Sequence, residues 1–278
     1  MTWLRGDVMI AAVTAADVRA AAQRLGLAGR PVGLHSSLSS FGRVSGGADA
    51  VVDGLLADGG TVLVPTQSPQ FAAPPPAGHV PLPFNSEDDG MIPAAQPAIG
   101  YDPAGNAVDR SMGAVSRAVL ARPGRARGAN ALSSFAAAGP LADALVGGQS
   151  AEDVFAPLRE LAARDGIVLL AGVGLDAMTL LHAAEEDIGM TPVVRWARVA
   201  GVDGVVTTRH GGCSRGFERL APALAHLERT GAVGASRWRA YPAAQTLAAA
   251  ADVFRRDPLA GVCDGPGCPR CAARRAQY

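Results

Sequence analysis

Residues 165–187 read DGIVLLAGVGLDAMTLLHAAEED, an apolar run followed by a glycine turn and an amphipathic segment. The run Ile167–Leu170 predicts a buried strand, and Gly172-Val-Gly174 predicts a tight turn after it. The segment beyond the turn predicts a helix that carries His182 and Glu185. A strand, turn and helix in this order are typical of an open α/β sheet, whose ligands bind beyond the carboxyl ends of the strands.

The helix of this unit carries a candidate catalytic pair. Thr179, His182 and Glu185 follow one another at steps of three, so consecutive members are neighbours on the helix surface. A carboxylate beside an imidazole fixes its tautomer and raises its basicity, which a general base requires. An ordinary surface pair is the alternative, but the place just past a buried strand favours a catalytic one.

The first third of the chain also alternates helix and strand. Thr14–Leu27 predicts a helix capped by its threonine, and Ala48–Ala57 a second helix. Pro31–Leu34 and Thr61–Pro65 predict buried strands. These patterns extend the α/β interpretation outward from residues 165–187, and 278 residues fit one large domain.

The connection from His35 to Gly47 reads HSSLSSFGRVSGG and leads into a helix. Backbone N–H groups in such a loop, freed by Gly46 and Gly47, can bind a phosphate without a lysine. The pattern matches neither a P-loop nor a dinucleotide fingerprint. A plain connection with capping serines explains the residues equally well.

Charge and hydropathy exclude several classes of protein. Acidic and basic residues number 25 each, so no global field draws the chain to nucleic acid or to an anionic membrane. No apolar stretch approaches the roughly 20 residues that cross a bilayer, and residues 1–12 lack the pattern of a secretory leader. We therefore expect a cytoplasmic protein.

The four cysteines suggest a metal site and argue against a disulfide framework. Cys263, Cys268 and Cys271 crowd the tail 257–278 with the close spacing of a zinc knuckle. Cys213 or His210 can supply the fourth ligand of a structural zinc. Reduced thiols in a tail are the alternative.

Several blocks in order along the chain resemble the aminoglycoside 3-N-acetyltransferase family. The similar segments span roughly residues 15–271, and ordered blocks are more specific than any single motif. They are Leu34–Gly42 with Gly46-Gly47, Thr61–Thr66, Ser111–Val115, Arg127–Gly139, Gly172–Glu185 and Gly211–Leu220.

This resemblance implies a single large α/β domain over residues 1–278, with a central mixed sheet flanked by helices and a cysteine-rich tail. It also implies acetyl transfer from acetyl-coenzyme A to the 3-amino group of a 2-deoxystreptamine aminoglycoside, and hence antibiotic resistance. His182 is then the general base of a ternary complex, and Glu185 orients it. The residues expected to hold the cosubstrate are His35, Ser36, Ser37, Leu38, Ser39, Ser40, Gly42, Val44, Gly46, Gly47, Ser111, Met112 and Gly113.

The acceptor needs carboxylates, because an aminoglycoside carries several ammonium groups. The residues expected to bind it are Thr66, Asp109, Asn130, Thr179, Glu186 and Asp187. The run Glu87-Asp88-Asp89 is a further candidate, although a solvated acidic loop explains it as well. The chain departs from the family at Asn130-Ala131, where many relatives have His-Pro or Asn-Pro, so its acceptor range stays open.

Two other functions fit the same residues. One is acyl-coenzyme A-dependent acylation of a different amine in secondary metabolism. The other is a catalytically silent protein that binds coenzyme A or a sugar. A monomer and a homodimer are both compatible with the sequence.

Overall fold

Ten strands form two sheets in the computed structural model, which describes residues 11–78, 92 and 99–278. They are β1 (Pro31–Ser36), β2 (Thr61–Pro65), β3 (Ala72–Ala73), β4 (Ala126–Arg127), β5 (Phe135–Ala138), β6 (Ile167–Ala171), β7 (Val193–Ala197), β8 (Val206–His210), β9 (Arg229–Val233) and β10 (Ser236–Pro242). The larger sheet has the order β4-β5-β2-β1-β6-β10-β9, and the smaller has the order β3-β7-β8. Only β2, β1 and β6 run parallel, so the central sheet is mixed.

Helices cover both faces of the larger sheet. They are α1 (Ala15–Arg24), α2 (Gly47–Leu56), α3 (Gly113–Leu120), α4 (Ala142–Val146), α5 (Ala156–Ala163), α6 (Leu180–Asp187), α7 (Ala221–Leu224), α8 (Ala243–Arg256) and α9 (Pro269–Gln277). One core contains apolar residues of α1, α2 and α3, and a second contains residues of α4, α5, α6 and α8. The sequence prediction of a mixed sheet flanked by helices is confirmed.

The three parallel strands place their carboxyl ends at one edge of the sheet. β1 pairs with β6 in a register that aligns Ser36 with Ala171, and with β2 through Pro31 and Thr61. β6 is buried along its whole length, because helices cover both of its faces. This edge is where the chain leaves β6 through Gly172 toward α6.

Local sequence signals explain several element boundaries. α1 begins after Thr14, whose hydroxyl accepts from the Asp17 amide while the Asp17 carboxylate accepts from the Thr14 amide. β7 and β8 pair antiparallel, with Val193 opposite His210 and Ala197 opposite Val206.

Other boundaries differ from the prediction. β1 extends to Ser36, so His35 and Ser36 belong to the strand rather than to the loop, because pairing with β6 continues through Ala171. β5 and β10 were not predicted. The acidic run Glu87–Asp89 lies outside the described residues. Among the helices of the described ranges, none combines the length and apolarity that crossing a bilayer requires.

Candidate active site

A cleft of about 420 Å³ opens at the carboxyl ends of β1 and β2, beside the turn that follows β6. Its walls come from both sheets and from α6. The residues that line it include His35, Ser36, Ser133, Asp176 and His182. The cleft therefore lies at the edge where the strand–turn–helix pattern predicts ligands.

His182 and Glu185 form a hydrogen-bonded pair on α6. His182 Nδ1 lies 2.7 Å from Glu185 Oε2, and the two side chains are 8% and 12% exposed. A carboxylate only accepts, so the proton of the pair is on Nδ1, and Nε2 is the ring nitrogen left to take up another. The geometry required of an oriented general base is present.

Packing fixes the plane of the His182 ring. Phe155 stacks parallel to it with centroids 6.1 Å apart, and Phe217 contacts it at 4.7 Å. Gly211 and Gly212, which follow β8, lie over the ring, since a Cβ on Gly211 would be 3.1 Å from His182 Cδ2. Small residues at these two positions leave room for the imidazole.

Two arginines of α9 support the wall behind the pair. Arg270 Nη1 donates to the carbonyl oxygens of Gly211 and Gly212 at 3.3 and 3.2 Å. Arg274 Nη2 lies 3.8 Å from Glu185 Oε1. Desolvation in this wall and the charge of Arg270 lower the pKa of His210 to about 3. The C-terminal helix is thus part of the site.

His35 and Ser36 reach the cleft from the end of β1. His35 is 6% exposed, and burial lowers its pKa to about 4. It is therefore neutral at neutral pH and can offer a donor and an acceptor without a charge.

The rest of the predicted cosubstrate loop continues away from the cleft edge. Ser37, Leu38, Ser39, Ser40, Gly42, Val44, Gly46 and Gly47 do not line the cleft. Ser40 Oγ donates to the Ser37 carbonyl and accepts from Ser236 Oγ, so its hydrogen bonds are made within the protein. Val44 pairs with Val13 in an isolated bridge. Positive φ angles at Gly46 and Gly47 turn the chain into α2.

Ser111 and Met112 line the cleft, and Gly113 begins α3 with a φ of 78°. A hydrogen bond to Asp109 fixes the position of this turn, because Asp109 Oδ1 accepts from the Ser111 amide at 2.8 Å. Asp109 itself was predicted to bind the acceptor. Its carboxylate is used to cap this turn, where hydrogen bonds from Ser111 lower its pKa.

Two other predicted acceptor residues are buried below the cleft. Thr66 is 0% exposed and its hydroxyl bonds Ser134. Asn130 is also 0% exposed, donates to Thr208 and to two carbonyls, and accepts from the amides of Leu132 and Ser133. The prediction that these side chains contact substrate is corrected: they shape the wall from behind.

The carboxylates at the end of α6 form ion pairs with arginines. Glu186 pairs with Arg159 and Arg209, and Asp187 also pairs with Arg159. Their charge is therefore balanced locally, and their contact with ammonium groups stays a prediction. Thr179 does line the cleft, as predicted.

Sequence reasoning missed several cleft residues, among them Asp176 and Ser133. Asp176 brings an exposed carboxylate to the cleft. Ser133 lines the cleft at 5% exposure, and its hydroxyl has no hydrogen-bond partner among the described residues. The signal for Asp176 was its place between Gly174 and His182, in the turn after β6.

The four cysteines lie together, beside the wall that Gly212 and α9 form. The Sγ atoms of Cys213, Cys263, Cys268 and Cys271 are all within 4.8 Å of one another. His210, the alternative fourth ligand, lines the cleft instead.

Comparisons with known proteins identify the family of the chain. The sequence profile of the family described as aminoglycoside 3-N-acetyltransferase matches residues 34–255. The chain is 35% identical over 163 residues to aminoglycoside N(3)-acetyltransferase VII of Streptomyces paromomycinus, covering 56% of this chain and 54% of that protein. It spans about half the length of the curated relatives it matches.

Solved structures share the whole fold. The apoenzyme of aminoglycoside acetyltransferase AAC(3)-IVa superposes with a TM-score of 0.77 at 26% identity, covering 97% of this chain and all of that one (100%). A histidine-to-alanine mutant of that enzyme, in complex with a gentamicin, gives 0.76 at 25% identity over 98% and 100%. AAC-IIIb in a binary complex with CoASH gives 0.69 at 24% identity over 88% and 98%, a likeness of fold.

Proposed function

Since the chain belongs to the aminoglycoside 3-N-acetyltransferase family, we propose that it transfers the acetyl group of acetyl-coenzyme A to the 3-amino group of a 2-deoxystreptamine aminoglycoside. The observation that carries the proposal is the 2.7 Å contact between His182 Nδ1 and Glu185 Oε2 in the cleft. A base held in one tautomer beside an open cleft is what amine acylation requires.

His182 acts as the general base of this reaction. The amine nitrogen attacks the thioester carbonyl carbon, and its proton passes to His182 Nε2 as the C–N bond forms. Glu185 stabilises the resulting imidazolium through Nδ1–H. When the C–S bond breaks, the proton returns to the sulfur, so an amide and a free thiol leave.

The cleft residues fit the cosubstrate, which supplies the acetyl group as a thioester. His35, Ser36, Ser111 and Met112 contribute its walls. Ser133 offers a buried hydroxyl that needs a polar partner from a ligand, as the amide groups of pantetheine provide. The loop through Gly46 and Gly47, at the start of α2, holds the phosphates in this proposal.

The acceptor side of the cleft needs negative charge. Asp176 provides an exposed carboxylate for an ammonium group. Thr179, from the turn before α6, adds a hydroxyl beside the His182 ring. Glu186 and Asp187 stay predicted residues of the acceptor site.

The test is release of free thiol when the protein is mixed with acetyl-coenzyme A and a panel of aminoglycosides. We expect release with acceptors that carry a free 3-amino group, and a product acetylated at that nitrogen by NMR. Release only with other amines would replace the acceptor, and release with none would leave a silent binder.

The role of His182 has its own test. We expect His182→Ala to lower kcat by about 10²–10⁴-fold and to leave coenzyme A binding near the wild-type value. His226→Ala, at an exposed histidine of the same chain, is the matched control and should keep full activity. Activity of His182→Ala within about tenfold of wild type would remove the imidazole from the mechanism.

A further inference from the structure

We propose that Cys213, Cys263, Cys268 and Cys271 bind one structural zinc ion, and that this ion holds α9 in place so that Arg270 and Arg274 support the catalytic wall. The four residues are called the sulfur cluster below. The metal site stands on the geometry of the cluster alone, and its link to catalysis rests on the proposed function.

The sulfur cluster has the composition and size of a zinc site. Tetrahedral Zn–S bonds of about 2.3 Å place sulfurs roughly 3.8 Å apart. The four Sγ atoms lie within 4.8 Å of one another, so small side-chain rotations bring them to this spacing. All four cysteines are free thiols, and three of them are buried. Cys213 lies fifty residues before Cys263 in the sequence, but the fold places it beside the three tail cysteines.

The surroundings suit a site of negative charge. Four thiolates around one Zn²⁺ leave a net charge of about −2, which needs nearby cations. Arg215 forms hydrogen bonds with Cys213 and Cys268, and Arg219 lies close enough for its charge to interact with those of Cys263 and Cys271. The Cys263 amide lies 3.4 Å from Cys271 Sγ, the kind of outer contact that orients metal ligands.

The helix α9 is held mainly by polar contacts, among them those of Arg270, Arg274 and Gln277. Its nine residues bury only Cys271 and Arg274, so it lacks an apolar stripe that would dock it against the core. Arg275 adds a hydrogen bond to the Cys263 carbonyl, which again ties α9 to the cluster. Metal bonds at Cys268 and Cys271 would add a fixed anchor at the start of this helix, where the polar contacts alone leave it less constrained.

Fixing α9 bears directly on the catalytic pair. Arg270 binds the carbonyls of the two glycines that lie over the His182 ring, and Arg274 reaches Glu185 Oε1. Arg270 directly precedes Cys271, and Arg274 follows Cys271 by one helical turn. Release of the metal would free both contacts together, whereas the ring and Glu185 would stay on α6.

The decisive measurement is the metal content of the full chain, purified without chelator. We expect about one zinc per chain, and no zinc in Cys271→Ser. Ala272→Ser places a serine at the adjacent exposed position of α9 and should keep its zinc. Protein without metal, iron in place of zinc, or disulfides that leave no titratable thiols in the denatured chain would overturn the proposal.

A second measurement covers the case in which Cys271→Ser does not fold. Wild-type protein treated with a zinc chelator should expose all four thiols and release one equivalent of zinc. Amide hydrogen exchange should then quicken in residues 269–277 and stay slow in β1 and β6. Slow exchange throughout, after complete metal loss, would show that zinc does not hold α9.

A third measurement tests whether loss of zinc affects catalysis. We expect the zinc-free protein to lose about tenfold or more in kcat while binding of acetyl-coenzyme A changes little. Arg274→Gln should lower kcat and retain zinc, which separates the arginine from the metal. Because zinc content is measured without any acceptor, a failed aminoglycoside assay leaves the metal site intact. A chain purified without bound zinc refutes the metal site, and full activity after zinc removal refutes the catalytic link alone.

Discussion

Ser133 and Ser134 are neighbours in sequence but differ in their surroundings. Ser134 Oγ donates to the Thr66 carbonyl at 2.8 Å and accepts from Arg127 Nε at 3.1 Å. Ser133 Oγ is buried at the cleft with no partner within the described ranges of the chain. Asn130 holds the Ser133 amide and so sets its position. One serine completes a structural network, and the other is available to a ligand.

This difference predicts opposite effects of two alanine substitutions. Ser133→Ala removes a buried hydroxyl without a partner, so the free energy of unfolding should stay equal or rise slightly. The KM for acetyl-coenzyme A should rise roughly threefold to tenfold, the value of one hydrogen bond. Ser134→Ala is the matched control and should destabilise the fold by about 1–3 kcal/mol, since it leaves buried partners unpaired. Urea unfolding and steady-state kinetics measure both, and an unchanged KM in Ser133→Ala would refute its role.

Residue roles were predictable where the partners share one helix. His182 and Glu185 are three positions apart, so helical geometry alone brings them together. The side chains of Thr66 and Asn130 were misassigned because their burial depends on β5 and β8, which lie far along the chain. Asp109 caps the turn before α3, and its contact with the acceptor stays a prediction, because a helix cap and a substrate carboxylate have the same residue type.

At the scale of elements, the turns after β1 and β6 are packed against each other. Gly172 has a φ of 73°, and a Cβ there would lie 1.9 Å from Ser40 Oγ. The two segments that follow the parallel strands therefore touch without room for a side chain. Apolar runs predicted both strands. β10 has no such run, and it was missed although its residues alternate as in a half-buried strand, because its partner β6 lies some 70 residues earlier.

Because of this contact, we expect Gly172→Ala to lower the free energy of unfolding by more than the strain of its positive φ angle alone would. Gly59 has a similar φ of 76° with open space around its Cβ position, so Gly59→Ala measures the left-handed strain by itself, about 1–2 kcal/mol. Gly172→Ala should lose a further 1–3 kcal/mol or so from overpacking. Ser40→Gly in the same chain should restore part of the difference. Equal midpoints in urea for the two single variants would contradict the contact.

Over the whole molecule, the site joins parts of the chain that sequence spacing cannot relate. His182 and Glu185 lie on α6, beside the larger sheet. Gly211 and Gly212 follow β8 of the smaller sheet, and α9 belongs to the C-terminal part of the chain. The spacing of the tail cysteines predicted three candidate metal ligands. The fourth candidate, Cys213 or His210, could be chosen only from the fold, which places Cys213 beside the other three. Of the residues that the family resemblance assigned to the cosubstrate, His35, Ser36, Ser111 and Met112 line the cleft, and the carboxylate exposed there, Asp176, was not among the predicted acceptor residues.

The burial of His35 at this junction predicts how the stability of the whole chain depends on pH. Its pKa is about 4 in the folded protein against 6.5 for an ordinary histidine, because burial disfavours the charged ring. Above pH 6.5 both states are neutral and the contribution to stability is complete. As the pH falls from 6.5 toward 4 the unfolded chain takes up a proton that the folded chain does not, so stability is lost, by about 3 kcal/mol over the window. His35→Gln should remove this loss, and His210, whose pKa is also lowered, remains in both proteins and cancels in their difference. Urea unfolding of both proteins at pH values across the window measures it, and parallel stability curves would show that His35 is not buried in its neutral form.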